Sequence, residues 1–191
     1  RLLLCEIRQV LDHRPARHRL GIVPHPRINP DFQHSGLCRG KTRLLCAGHR
    51  FRLLLSVNIL FLCTGNSCRS QIAEGWARHF AGDRHSIQSA GIEAHGKNPR
   101  AIAVMREAGI DISGQQSTRV SDAMLQAADL VVTVCGHADE HCPVLPPGTR
   151  KLHWPLEDPA KVSGSEECVM QVFRASRDDI RQRVTNLLET L

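Results

Sequence analysis

Tyrosine is missing from this 191-residue chain, and aromatic residues of every kind make up 4% of it. A site that grips an aryl ring by stacking therefore has little to be built from. Long apolar runs are missing too. The apolar run Leu53 to Cys63 falls well short of the roughly 20 residues that a membrane-spanning helix needs, so no membrane partner is expected. The chain also lacks an even spread of basic charge. Its net charge of +6 is concentrated in residues 1–52, which hold eleven Lys and Arg against three Asp and Glu, while residues 53–191 hold 14 against 16. The part with a folding pattern is close to neutral, and no nucleic-acid partner is expected.

Residues 1–52 contain no Met, little Ser and no sustained period of 2 or 3.6, and Pro15, Pro24, Pro26 and Pro30 interrupt any long helix. Their Arg content fits a mitochondrial transit peptide, but their poverty in Ser and lack of an amphipathic pattern do not. The segment is expected to be a basic N-terminal extension, either disordered or upstream sequence read in frame, with the natural start near Leu55 or Val57. A metal-binding arm built from His13, His18, His25, His34, Cys38 and Cys46 is disfavoured, because the spacings match no ligand pattern. Residues 53–191 are read as one domain.

Eight cysteines are present, at positions 5, 38, 46, 63, 68, 135, 142 and 168. The helix-and-strand pattern around most of them needs no staples, so they read as reactive or buried thiols of a reducing compartment, and a cytoplasmic location is expected.

The chain is organised around Val57 to Ser70. An apolar, β-branched run ends at Cys63; Thr64, Gly65, Asn66 and Ser67 follow as loop residues; a helical pattern then runs from Ser70 to Ala81. Backbone N–H groups and a helix N-terminus converge at such a turn and favour an anion there. The oxyanion cradle is expected to comprise Thr64, Gly65, Asn66, Ser67, Cys68, Arg69 and Ser70. Cys63 lies at its base, where the same field favours the thiolate, and the Arg69 guanidinium offers a planar fork for two oxygens. Gly65 and Asn66 tolerate the left-handed backbone angles that such a loop requires.

Downstream, Ser86 to Ala90 reads as a second strand, Arg100 to Ala108 as a helix with Pro99 at its start, and Ser121 to Ala127 as a short helix. Asp129 to Cys135 reads as a strand buried on both faces, Arg150 to Trp154 as a last strand, and Ser165 to Thr190 as a long terminal helix. Val169, Val172, Phe173, Ile180, Val184 and Leu187 or Leu188 are expected to face inward. The fold class is α/β: a three-layer αβα arrangement around a four-stranded parallel sheet. Cys63 and Cys135 both fall at strand carboxyl ends, where such sheets bind ligands, so they can be neighbours. The short polar segment between Cys135 and Cys142 can form a turn of helix and can melt.

Leu60 to Ser70, with Asp158-Pro159 downstream, resembles the low-molecular-weight protein tyrosine phosphatase fold. Cys135 and Cys142, within Ala128 to Pro143, look more specifically like the arsenate reductases built on that fold. This resemblance implies a relay that detoxifies arsenic. Cys63 attacks arsenate held by the loop and Arg69, with Asp158 donating a proton to the leaving oxygen. Cys135 attacks the Cys63 sulfur and releases arsenite, and Cys142 then forms a Cys135–Cys142 disulfide. Thioredoxin, or glutathione with glutaredoxin, reduces that disulfide. The resemblance also implies that Ser70 helps keep Cys63 ionised, that Asn66 and Ser89 brace the loop, and that no cofactor is tightly bound; a monomer is expected. Some of these reductases bind potassium. Asn66, Glu74 and Ser89 match that site, but Thr118 stands where an Asp is expected, so the site is doubtful.

Competing readings remain at this point. The same fold could hydrolyse phosphomonoesters at Cys63, with Asp158 as acid and then base, although the scarcity of aromatic residues and the two extra cysteines argue against it. A redox sensor would not need Arg69 and Asp158. Cys135, His137, His141 and Cys142 could bind zinc, but in an uncommon pattern. Asp158 could be a turn former only. Cys68 reads as a bystander and Cys168 as a core or boundary residue.

Overall fold

The computed structural model describes residues 56–191. The expectations for residues 1–52, and the exact start of the domain at 53, lie outside the described residues. Four strands carry the sheet: β1 (Asn58–Cys63), β2 (Ser86–Gly91), β3 (Leu130–Thr133) and β4 (Arg150–His153). All are parallel, in the order β2-β1-β3-β4. The helices are α1 (Arg69–Ala81), α2 (Pro99–Glu107), α3 (Asp122–Ala127), α4 (Gly136–Glu140) and α5 (Glu166–Glu189).

The burial of each strand follows its place in the sheet. β1 and β3 are central, and from Ile59 to Cys63 and from Leu130 to Thr133 every residue is buried. A strand covered on both faces needs a continuous apolar run rather than an alternating one. β4 is an edge strand and exposes Arg150 and Lys151, charges that discourage pairing with another chain. Helices α1, α2 and α5 pack on one another, while α3 and α4 contact β1, which completes a three-layer αβα domain. Phe61, Ile72, Phe173 and Ile180, all fully buried, anchor the core. Val172 stays only partly covered, and Leu187 rather than Leu188 is the buried residue of that pair. No helix among the described residues is long and apolar enough to cross a membrane.

The element ends follow local chemistry. Ser121 and Ser165 accept hydrogen bonds from the backbones of Met124 and Cys168 as N-caps of α3 and α5, and Asn98 caps α2 with Pro99 at the first helical position. β3 stops at Thr133, two residues earlier than its apolar run, because Cys135 turns to cap α4 and its sulfur accepts from the Ala138 N–H at 3.4 Å. Chain connections leave β1 toward β2 on one side and β3 on the other. That reversal opens a crevice between the carboxyl ends of β1 and β3. Leu62 pairs with Thr133 across it, so Cys63 and Cys135 emerge on its two walls.

Candidate active site

The loop from Cys63 to Arg69 is held from outside through its carbonyls. Ile92 N–H donates to Cys63 O, Glu93 N–H to Thr64 O, His95 N–H to Gly65 O and Asn98 N–H to Ser67 O, all at 2.8–3.0 Å. In a planar trans peptide the N–H points opposite to the carbonyl. Turning these carbonyls outward therefore turns the N–H groups of Thr64, Gly65, Asn66 and Cys68 inward. One is already spoken for: Asn66 N–H donates to Cys63 Sγ at 3.1 Å. Among these loop residues only Asn66 has a left-handed backbone, at φ 45°. Gly65 does not need that freedom; it is small because the His95 ring lies where its Cβ would be.

Asn66 is completely buried and braces the loop in four directions. Its Nδ2 donates to Ser70 Oγ at 3.0 Å and to Ser89 Oγ at 2.8 Å, and its Oδ1 accepts from Gln71 Nε2 at 3.0 Å and Thr118 N–H at 2.8 Å. Because Ser70 Oγ accepts from Asn66, its hydroxyl proton is available to the Cys63 sulfur 2.8 Å away. The ionisation of Cys63 is a balance. Burial pushes its thiol up, hydrogen bonds from Ser70 and from Asn66 N–H pull it down, and Arg69 adds a smaller downward pull. Burial is the largest of these, so the loop field and the Ser70 hydrogen bond expected to favour the thiolate work against a desolvation cost that the sequence does not display. Cys68, the N-terminal cap residue of α1, is pushed up to about 12 by burial and stays a thiol.

Arg69 is nine-tenths buried and fixed at both ends of its fork. Nη1 donates to Leu156 O at 2.8 Å and Nη2 pairs with Asp158 Oδ2 at 3.1 Å. The other Asp158 oxygen accepts from Ala160 N–H at 3.2 Å and caps the 3-10 turn 159–161. Asp158 is thus a turn former and a neighbour of the cradle at once. Cys135, also buried, reaches the cradle from the β3 side: its sulfur is 3.4 Å from Thr64 Oγ1. Cys142 lies just past α4, half-buried. The structure therefore brings Cys63, Arg69, Asp158 and Cys135 to one loop and keeps Cys142 beyond a helical turn.

The residues matching a potassium site do not fit an added cation. Ser89 Oγ donates to Glu74 Oε2 at 2.6 Å, and Arg78 already sits on Glu74 Oε1 at 2.7 Å. Burial also pushes the Glu74 carboxyl up, which weakens it as a ligand for a cation. The zinc alternative fares no better. His137 and His141 stack on each other at 4.2 Å, Cys135 turns to Thr64, and no group of three or more His, Cys, Asp and Glu among the described residues could hold a metal ion.

Sequence reasoning passed over Gln71, Gly91 and the Leu156 carbonyl. Gln71 ties Asn66 to the Gln116 carbonyl at 2.9 Å. A Cβ at Gly91 would lie 2.7 Å from both Asn66 N and Thr64 O, so that glycine lets β2 lie against the loop. A glycine ending a strand was the one available signal.

Residues 58–191 match the low molecular weight phosphotyrosine protein phosphatase family. The chain belongs to that family. Within it, the chain is 53% identical over 132 residues to an arsenate reductase of Halalkalibacterium halodurans and 52% identical over 132 residues to one of Bacillus subtilis; each match covers 69% of this chain and 95% of the relative. A solved structure described as an arsenate reductase in the phosphate binding state is similar at 38% identity and a TM-score of 0.58, covering 70% of this chain and 98% of that one. This low molecular weight phosphatase domain thus spans nearly the whole length of those relatives.

Proposed function

We propose that this protein reduces arsenate to arsenite by a three-thiol relay. The observation that carries the reading is the second buried thiol at the cradle: Cys135 lies beside Thr64, where hydrolysis of a phosphate ester has no use for it. The loop N–H groups and the Arg69 fork hold the tetrahedral oxyanion, as they would hold phosphate. Cys63 attacks arsenic as its thiolate, Asp158 gives a proton to the departing oxygen, and water leaves. Cys135 then attacks the Cys63 sulfur. An S–S bond forms, the S–As bond breaks, and its electron pair goes to arsenic, which leaves as arsenic(III). Phosphorus(V) accepts no such pair, so a phosphoryl group on Cys63 would go no further than hydrolysis of its S–P bond back to phosphate.

Cys142 completes the relay by attacking Cys135, which frees Cys63 as a thiolate. With α4 formed, Cys135 and Cys142 lie at its two ends. Seven residues at about 1.5 Å each give roughly 10 Å, beyond the ~7 Å across which a disulfide can join two Cα atoms. Closing the bond requires α4 to unwind, which carries the disulfide toward solvent and toward a dithiol reductant, thioredoxin in the first instance and a glutathione and glutaredoxin couple as the alternative. The protein is read as a cytoplasmic monomer.

Disulfide mapping after one equivalent of arsenate tests the order of steps. The reduced wild type is expected to accumulate Cys135–Cys142, and Cys142→Ser to stop at Cys63–Cys135. Accumulation of Cys135–Cys142 in a Cys63→Ser variant at the wild-type rate would contradict the relay.

A further inference from the structure

Between the two relay cysteines the side chain of Asp139 leaves α4 and crosses to the sheet. Its Oδ1 accepts from Thr133 Oγ1 at 2.8 Å and pairs with Lys151 Nζ at 2.9 Å, and His153 Nδ1 lies 3.5 Å away. Lys151 Nζ also donates to the Asp139 carbonyl at 3.2 Å, gripping the helix by main chain and side chain together. A five-residue helix does not hold itself in water, so such tethers decide whether α4 is wound. Thr133 Oγ1 and His153 Nδ1 also lie 2.9 Å apart, so β3 and β4 present one polar wall to Asp139.

We propose that Asp139 and Lys151 form a latch that keeps α4 wound and Cys142 unreactive until Cys135 is oxidised, and that opening the latch leaves the Lys151 ammonium free to activate Cys142. Both are positioning residues; neither touches the oxyanion. In the latched form the two charges oppose each other at Cys142: Lys151 pulls its thiol down, Asp139 pushes it up, and burial, the largest influence, also pushes it up. When α4 unwinds, Asp139 is carried off with it, while Lys151 stays on β4 as the nearby cation. The Cys142 thiolate then attacks the Cys135 sulfur of the Cys63–Cys135 disulfide; the Cys135–Cys142 bond forms and Cys63 departs as a thiolate, with no outside oxidant or reductant. This couples the exposure of the third thiol to its ionisation.

The inference rests on the relay reading, but its test uses the reduced protein without arsenate, so the two can fail separately. Asp139→Asn and Lys151→Gln are compared with wild type by amide hydrogen exchange and by the rate of Cys142 alkylation at pH 7, read on its peptide. Both variants are expected to lose protection in α4 while β1 keeps its own, which also reports that the domain is folded. Alkylation is expected to diverge. Asp139→Asn keeps the cation and should react about threefold faster for each unit its thiol falls, because a tenfold gain in thiolate is partly offset by weaker nucleophilicity. Lys151→Gln exposes the thiol but loses the cation, so it should react more slowly than Asp139→Asn. Equal acceleration in both variants would mean that Lys151 does nothing but hold the helix, and unchanged α4 exchange would mean that there is no latch; either result overturns the proposal.

Discussion

At the scale of single residues, the chemistry turns on how a buried sulfur is made ionisable. Burial raises the Cys63 thiol, and the hydrogen bond from Ser70 is the largest influence opposing it. Replacing Ser70 by Ala removes that donor and moves the thiol further up. A raised thiol is protonated over a wider pH range, so Cys63 in Ser70→Ala is expected to alkylate more slowly at neutral pH and to recover as pH rises. A hydrogen bond to a charged group contributes roughly 1.5 kcal/mol or more, which corresponds to about tenfold less thiolate. The check is the pH profile of Cys63 alkylation by iodoacetamide; an unchanged profile would mean that Ser70 does not hold the sulfur. The placement of Cys63 and Arg69 at the two ends of one loop was legible in the sequence because both sit within one strand-loop-helix unit. The desolvation that governs Cys63 was not, because it arises from segments far along the chain.

At the scale of elements, the cradle is a loop stretched between β1 and α1 and clamped by the segment after β2. Gly91 is one point of close approach, and a methyl there would lie 2.7 Å from Asn66 N and Thr64 O and closer still to the Glu93 carbonyl. Gly91→Ala must push the loop outward, so a loss of about 3 kcal/mol of stability is expected together with loss of activity at Cys63. Gly114→Ala meets nothing within 4 Å and is expected to stay within about 0.5 kcal/mol of wild type. Denaturant melts of the two variants make the comparison, and equal stabilities would contradict the clamp. The elements themselves were readable from apolar runs and caps: Asn98 with Pro99, Ser121 and Ser165 all mark real helix starts. The clamp was not readable. Gly91 to Asn66, Gln71 to Gln116 and Arg69 to Leu156 are tertiary approaches between residues that carry no local pattern.

At the scale of the whole molecule, the order of the strands does the assembling. Because β1 lies between β2 and β3, its anion loop opens into the crevice that the segment after β3 also enters, and this brings two cysteines 72 residues apart to one loop. The phosphatase architecture supplies the loop, and the β3–β4 connection carries Cys135 and Cys142, the two thiols that the proposed relay adds to it. Residual hydrolysis of small aryl phosphates is compatible with this account, since the cradle is shared. The most direct test is arsenate-dependent NADPH consumption by the purified full chain with thioredoxin and its reductase. The account predicts steady consumption by the wild type and background rates for Cys63→Ser, Cys135→Ser and Cys142→Ser alike. A wild type that shows no arsenate-dependent consumption, and only a phosphate-ester hydrolysis that Cys63→Ser alone abolishes, would contradict it and make this chain a phosphatase.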